Sequence, residues 1–261
     1  MQEILDVRGL KKTFSLSAKQ RRIERTDSRV KVALDGLSFK AYAGEVYGLL
    51  GPNGAGKTTC LRILSTLIKP DEGDAFVAGA SAVKEEAKVR EKIGFLTSEL
   101  KLEDFFTPNY LFDFFSELHG MDEQARAARK AELFGKFGID RFAEVKVADL
   151  STGMKQKVSI AIAIVHDPDV IVFDEPTNGL DVITAKTVTD FLLEQKSLGK
   201  CVIVSTHIFS LVEKICDRVG VIIDGKLVSE GTLDEVRGGR SLEDKFFEIY
   251  SESRRAKGEE I

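Results

Sequence analysis

Residues Gly51-Pro52-Asn53-Gly54-Ala55-Gly56-Lys57-Thr58-Thr59 form a complete G-x-x-x-x-G-K-[ST] loop. These residue types suit the holding of a polyphosphate. Backbone N–H groups can ring anionic oxygens only where no Cβ intervenes, which the glycines allow. N–H groups at the start of the next helix add positive potential. Lys57 would reach the β- and γ-phosphates of a triphosphate, and the Thr58 hydroxyl would ligate Mg²⁺. A plain glycine turn accounts for the glycines but not for Lys57-Thr58-Thr59. Downstream, Asp174 and Glu175 follow the apolar run Val170-Ile171-Val172-Phe173. A carboxylate at a strand's carboxyl end can hold Mg²⁺, usually through water. A second carboxylate beside it can polarise an attacking water as general base. A surface acidic pair is the ordinary alternative, and the phosphate loop upstream weighs against it. His207 closes another apolar run, where it could contact the γ-phosphate and the attacking water. Ser151 and Gly153 precede an apolar helix. They offer a hydroxyl and N–H groups to an anion, or simply an N-cap. His119 and His166 lack any such context, and no His or Cys spacing matches a metal site.

These residues need a scaffold. The run at residues 46–50 reads as a buried strand, and Leu61, Leu64, Leu67 and Ile68 mark the apolar face of the helix after the loop. Strand patterns recur at residues 4–7, 32–39, 74–78, 93–96, 170–173 and 201–204. Residues 219–223 and 226–229, joined by Asp224-Gly225, read as a hairpin. Strands alternating with helices argue for a largely parallel α/β sheet with its ligands at the strands' carboxyl ends. Residues 15–31 are polar and basic, and we read them as a hairpin insertion; a solvated loop is favoured over a lipid contact. Residues 99–148 form a mainly helical insertion. Nine of the 17 phenylalanines fall between Phe95 and Phe142. Leu111, Phe114, Phe115 and Leu118 recur at helical spacing, with Thr107-Pro108 as the start. Core packing is the ordinary reading of that stripe, and an exposed groove for a partner helix is the other. The chain from Leu233 onward is helical and charged, with a frayed end.

At 261 residues and 43% hydrophobic, the chain suits one domain with a subdomain. A net charge of -4 and a pI near 5.6 give no reason to expect nucleic acid. The three cysteines form no C-x-x-C pair and fit a reducing compartment. The first residues lack a signal-peptide pattern, and no apolar run approaches the ~18 residues needed to cross a bilayer. A soluble or peripheral protein is expected.

Taken in order, these motifs resemble those of the ATP-binding subunits of ABC transporters. The resemblance covers essentially residues 3–235. Residues 51–59 match Walker A, residues 170–175 match Walker B with its catalytic glutamate, and Leu150-Ser151-Thr152-Gly153-Met154 matches the signature. Gly179-Leu180-Asp181 matches the D-loop, and His207 the switch histidine. Phe14 stands where the family places an aromatic that stacks on adenine. The resemblance implies a P-loop NTPase (RecA-like) core with an antiparallel β subdomain and a helical subdomain at about 99–150. The ATP-binding domain would span 1–235 and a C-terminal helical tail 236–261. It also implies an ATPase that closes head to tail with a second ATP-binding subunit, as homo- or heterodimer, so that Ser151 and Gly153 act in trans. It would sit on the cytoplasmic face of the cell membrane and drive a separate multi-spanning permease. Two departures stand out. Thr152 and Met154 replace Gly and Gln in the signature, and Ser98 stands at the Q-loop position, where glutamine usually contacts Mg²⁺ and water. The pattern Leu-Ser-x-Gly-Met-x-Gln-Lys-Val with His166-Asp167-Pro168 is similar to ABC-2 type exporters, nearest to their sodium-export group. An ABC-type ATPase with a non-transport, regulatory role is the alternative. A GTPase is disfavoured because no Asn-Lys-x-Asp motif occurs.

Overall fold

The computed structural model describes residues 2–24, 26–97 and 102–256. The chain opens with β1 (Glu3–Ser15) and β2 (Val30–Tyr42), separated by helix α1 (Ala18–Glu24). β3 (Val46–Leu50) runs into the phosphate loop and α2 (Lys57–Leu64). β4 (Glu72–Val77), β5 (Ala80–Ser81), α3 (Glu86–Lys92) and β6 (Ile93–Leu96) follow. A helical layer of α4 (Pro108–Leu118), α5 (Glu123–Phe137) and two 3-10 turns leads to α6 (Thr152–Ala163). β7 (Val170–Asp174), α7 (Val182–Ser197), β8 (Cys201–Thr206) and α8 (Phe209–Ile215) alternate. β9 (Arg218–Ile223), β10 (Lys226–Thr232), α9 (Leu233–Arg237) and α10 (Leu242–Arg255) complete it.

Two sheets result. A four-stranded antiparallel sheet has the order β2-β1-β4-β5, and a six-stranded sheet has the order β10-β9-β3-β8-β7-β6. In the second, β9, β3, β8, β7 and β6 pair in parallel, and β10 adds an antiparallel edge. The parallel strands are buried on both faces, so they read as continuous apolar runs. Side chains alternate between two cores. Ile171 and Phe173 of β7 join the core under the helical layer, whereas Val170 and Val172 join the core shared with the antiparallel sheet and α2. Strands β3, β7 and β8 therefore end side by side, and the residues at their carboxyl ends meet.

Local chemistry sets the helix limits. Thr107 caps α4 by accepting from the Tyr110 amide, with Pro108 fixing φ at the first turn. Asp122 caps α5, and Gly138 ends it in the left-handed conformation. Several details depart from the sequence reading. Helix α2 stops at Leu64, with Leu67 beyond it and exposed. The basic insertion between β1 and β2 contains α1 rather than a bare loop. On α4 the buried side is Leu111, Phe112 and Ser116, while Phe114 and Leu118 face outward. The helix face is rotated because Phe112, absent from the expected stripe, packs edge-on against Phe134 of α5. Ser98 lies outside the described residues, as does the end of the tail from Lys257. No described helix is long and apolar enough to cross a membrane.

Candidate active site

The phosphate loop spans the gap between β3 and α2, and two of its glycines, Gly51 and Gly56, are required by close approach. A Cβ on Gly51 would lie 2.3 Å from the Ile222 carbonyl oxygen of β9. One on Gly56, at φ +107°, would lie 2.3 Å from the Ala33 oxygen of β2. Lys57 begins α2 and is 6% exposed. Its Nζ donates to the carbonyl oxygens of Gly51 (2.6 Å) and Pro52 (3.2 Å), and lies 3.9 Å from Glu175 Oε1. Burial pulls the Lys57 pKa below its ordinary value, opposed by the charges of Glu175 and Asp174.

Asp174 ends β7 and is buried. It accepts from the Thr58 hydroxyl at 2.7 Å and from the Ser205 hydroxyl of β8. Mg²⁺ takes oxygen ligands and usually keeps waters or phosphate oxygens among them. Thr58 and Asp174 supply two adjacent oxygens of that kind. No group of three or more His, Cys, Asp or Glu among the described residues could hold a metal by itself. The pair thus fits an ion that brings most of its ligands with a nucleotide.

Glu175 sits at φ +51°, a conformation that costs a non-glycine residue roughly 1 kcal/mol or more. Its amide donates to the Ser205 carbonyl at 2.9 Å, which holds the turn. The carboxylate accepts from Thr206 Oγ1 at 3.1 Å and meets His207 Nδ1 at 2.8 Å. Strain and hydrogen bonds together aim Glu175 and His207 into the same space as Lys57. That space is a cleft of about 390 Å³, lined by residues 52–59 with Phe14, Asp174, Glu175 and His207. Phe14 is half exposed, near the end of β1.

Ser151, Gly153 and Asp181 do not line this cleft. Ser151 caps α6, accepting from the Met154 amide at 3.3 Å. Asp181 caps α7, accepting from the Ile183 and Thr184 amides (3.0 Å each) and the Thr184 hydroxyl (2.7 Å). The hydrogen bonds from Thr184 hold the Asp181 pKa below the usual carboxylate range. A Cβ on Gly153 would come within 2.9 Å of Thr184 Oγ1, so the two motifs pack together on one outer surface. Val182 and Ile183 beside them are 85% and 79% exposed.

Sequence reasoning missed three residues. Ser205 fixes Asp174, and its signal was the polar pair Ser205-Thr206 ending an apolar strand. Asn178 and Lys31 also line the cleft. Asn178 follows Glu175 in its loop, donating to the Glu175 carbonyl at 3.1 Å. Lys31 reaches the cleft because it pairs with Phe14 across the β1–β2 ribbon, a register hidden by the intervening insertion.

Comparison with known proteins agrees with this arrangement. Residues 34–178 match the family model described as ABC transporter. The chain is 37% identical over 232 residues to the ABC transporter ATP-binding protein NatA of Bacillus subtilis (strain 168), covering 88% of this chain and 94% of that one. It is 39% identical over 201 residues to the Nod factor export ATP-binding protein I of Burkholderia orbicola (strain AU 1054), covering 77% of this chain but 66% of that relative. A dimeric post-hydrolysis structure of the ATP-binding cassette MJ0796, bound to ADP and Pi, superposes with a TM-score of 0.75 at 27% identity. That match covers 88% of this chain and 99% of the other.

Proposed function

The chain belongs to the ATP-binding ATPase subunits of ABC transporters, and we propose that it powers export through a separate permease from the cytoplasmic face of the membrane. The observation that carries the reading is the convergence of Lys57, Thr58, Asp174, Glu175 and His207 on one cleft, with Phe14 at its edge. In this reading residues 51–59 wrap the triphosphate of ATP, and Phe14 stacks on the base. Lys57 exchanges its carbonyl partners for phosphate oxygens. Thr58 and Asp174 would hold Mg²⁺, which would supply charge neutralisation at the phosphates when bound. Glu175 accepts the proton of the attacking water, and His207 orients that carboxylate and contacts the γ-phosphate.

The second half of the site comes from a second copy closing head to tail. Its Ser151, Gly153 and Asp181 would face this cleft, which accounts for their outer position here. The exposed Val182 and Ile183 supply apolar surface for that closure. Export is supported by likeness to a Nod factor export protein. A permease has an apolar surface available at Phe105, Tyr110 and Phe114, which are all exposed along α4 and the turn before it. Sodium is the substrate suggested by motif resemblance alone. Glu175→Gln tests the proposal. The variant should bind Mg-ATP, turn it over at least ~10²-fold more slowly, and elute as a dimer in its presence. Wild-type turnover would place the base elsewhere.

A further inference from the structure

β4 begins at Glu72, which pairs with Lys11 of β1. Lys12, Thr13 and Phe14 therefore run past the end of that neighbouring strand. On the other side only β2 accompanies them, and the basic insertion begins just beyond Ser15. Asp71, in the loop before β4, takes over where the ladder stops. Its amide donates to the Lys11 carbonyl at 2.8 Å. Its Oδ1 accepts from Lys12 Nζ at 2.9 Å, and its Oδ2 accepts from the Thr13 amide (2.6 Å) and the Thr13 hydroxyl (2.8 Å). The Lys12 ammonium, held in this way, lies 5.7 Å from the centre of the Phe14 ring. That distance is within cation–π range.

We propose that Asp71 and Lys12 are positioning residues for nucleotide binding, which act by holding the Phe14 ring at the edge of the cleft. The proposal rests on the reading of Phe14 as the ring that stacks on the base. Asp71 fixes the strand end by three side-chain bonds, and Lys12 restrains the ring through its π-face. A ring set in place before binding loses less freedom on stacking, so the contact yields more affinity. Consistent with a fully ionised hub, the hydrogen bonds from Lys12 and Thr13 hold the Asp71 pKa down to about 2.

The test compares Mg-ATP with inorganic tripolyphosphate, which has no base to stack, by titration calorimetry and by displacement of a fluorescent ATP analogue. Lys12→Met and Asp71→Asn should each weaken ATP binding by about 3- to 10-fold and leave tripolyphosphate binding unchanged. Lys12→Arg keeps a cation over the ring and should bind ATP as wild type does. In a Phe14→Ala background, Lys12→Met should have no further effect. Melting midpoints show whether each variant is folded, and Lys12→Met removes only a partly exposed ammonium. An equal loss for both ligands, an equal loss in the Phe14→Ala background, or no loss at all would overturn the proposal. Wild-type protein that binds neither ligand would overturn the nucleotide reading itself, and this proposal with it.

Discussion

Asp174→Asn should leave the nucleotide-free protein as stable as wild type, or more so, while removing the effect of Mg²⁺ on ATP binding. The Asp174 carboxylate is buried and faces two hydroxyls, Thr58 at 2.7 Å and Ser205. An asparagine of the same shape can accept from one hydroxyl and donate to the other, so no buried polar atom is stranded. Neutralising the group also removes the cost of keeping a charge from water, offset by a weaker pull on Lys57. These terms oppose each other, so the expected change in melting midpoint is near zero or upward. The ligand effect is larger. At 100 times its Kd, Mg-ATP stabilises wild type by about 2.7 kcal/mol. For a chain of this size that raises the midpoint by about 5–10 °C. Asp174→Asn should give the same small shift with Mg-ATP as with ATP and EDTA. Scanning fluorimetry reads both quantities. A nucleotide-free variant several degrees less stable than wild type would make Asp174 a structural group. A full Mg²⁺-dependent shift in the variant would remove it from the metal site.

Other outcomes follow from the same geometry. Gly51→Ala must move its Cβ from 2.3 Å to at least 3.0 Å from the Ile222 oxygen; a shift of that size in the loop should cost about tenfold or more in turnover, read by phosphate release. Phe105 is 63% exposed whereas Phe106 packs on the core beneath it. Phe105→Asp should therefore keep basal ATPase activity and lose capture of a permease from membranes, while Phe106→Asp lowers the melting midpoint. Burial, with smaller contributions from His119, Lys200 and Arg129, pushes the His166 pKa down from 6.5 to about 4. The unfolded chain then binds the extra proton first, so the fold should be most stable above about pH 6.5 and lose stability as pH falls toward 4. His166→Phe should flatten that slope in melting curves, and an unchanged slope would assign it to other groups.

The phosphate loop and the carboxylate pair were legible because their chemistry is local. The glycines, Lys57 and the strand-ending Asp174-Glu175 each need only their immediate neighbours to be recognised. The α/β class was legible for a related reason, since strands buried on both faces leave uninterrupted apolar runs such as residues 170–173. What escaped depends on tertiary register. Lys31 reaches the cleft only through its pairing with Phe14, and Ser205 matters only because β8 lies beside β7. The rotated face of α4 was hidden by a phenylalanine-rich segment in which apolar residues occur on every side. Phe112 and Phe114 have equal hydrophobicity, and contact with Phe134 decides which is buried. Gly51 and Gly56 were expected to admit N–H groups to phosphate. The structure adds that neighbouring carbonyls of β9 and β2 already occupy the space of a side chain.

In the proposed dimer each ATP site joins the phosphate loop of one copy to the signature of another. Mixing two inactive variants tests it most directly. Lys57→Ala spoils the loop and spares the signature, while Gly153→Asp spoils the signature and spares the loop. A mixed dimer regains one complete site, so an equal mixture should recover roughly a quarter of wild-type phosphate release if dimers form at random and sites act independently. A mixture as inactive as either variant alone, under conditions where wild type turns over, would contradict a site shared between two copies.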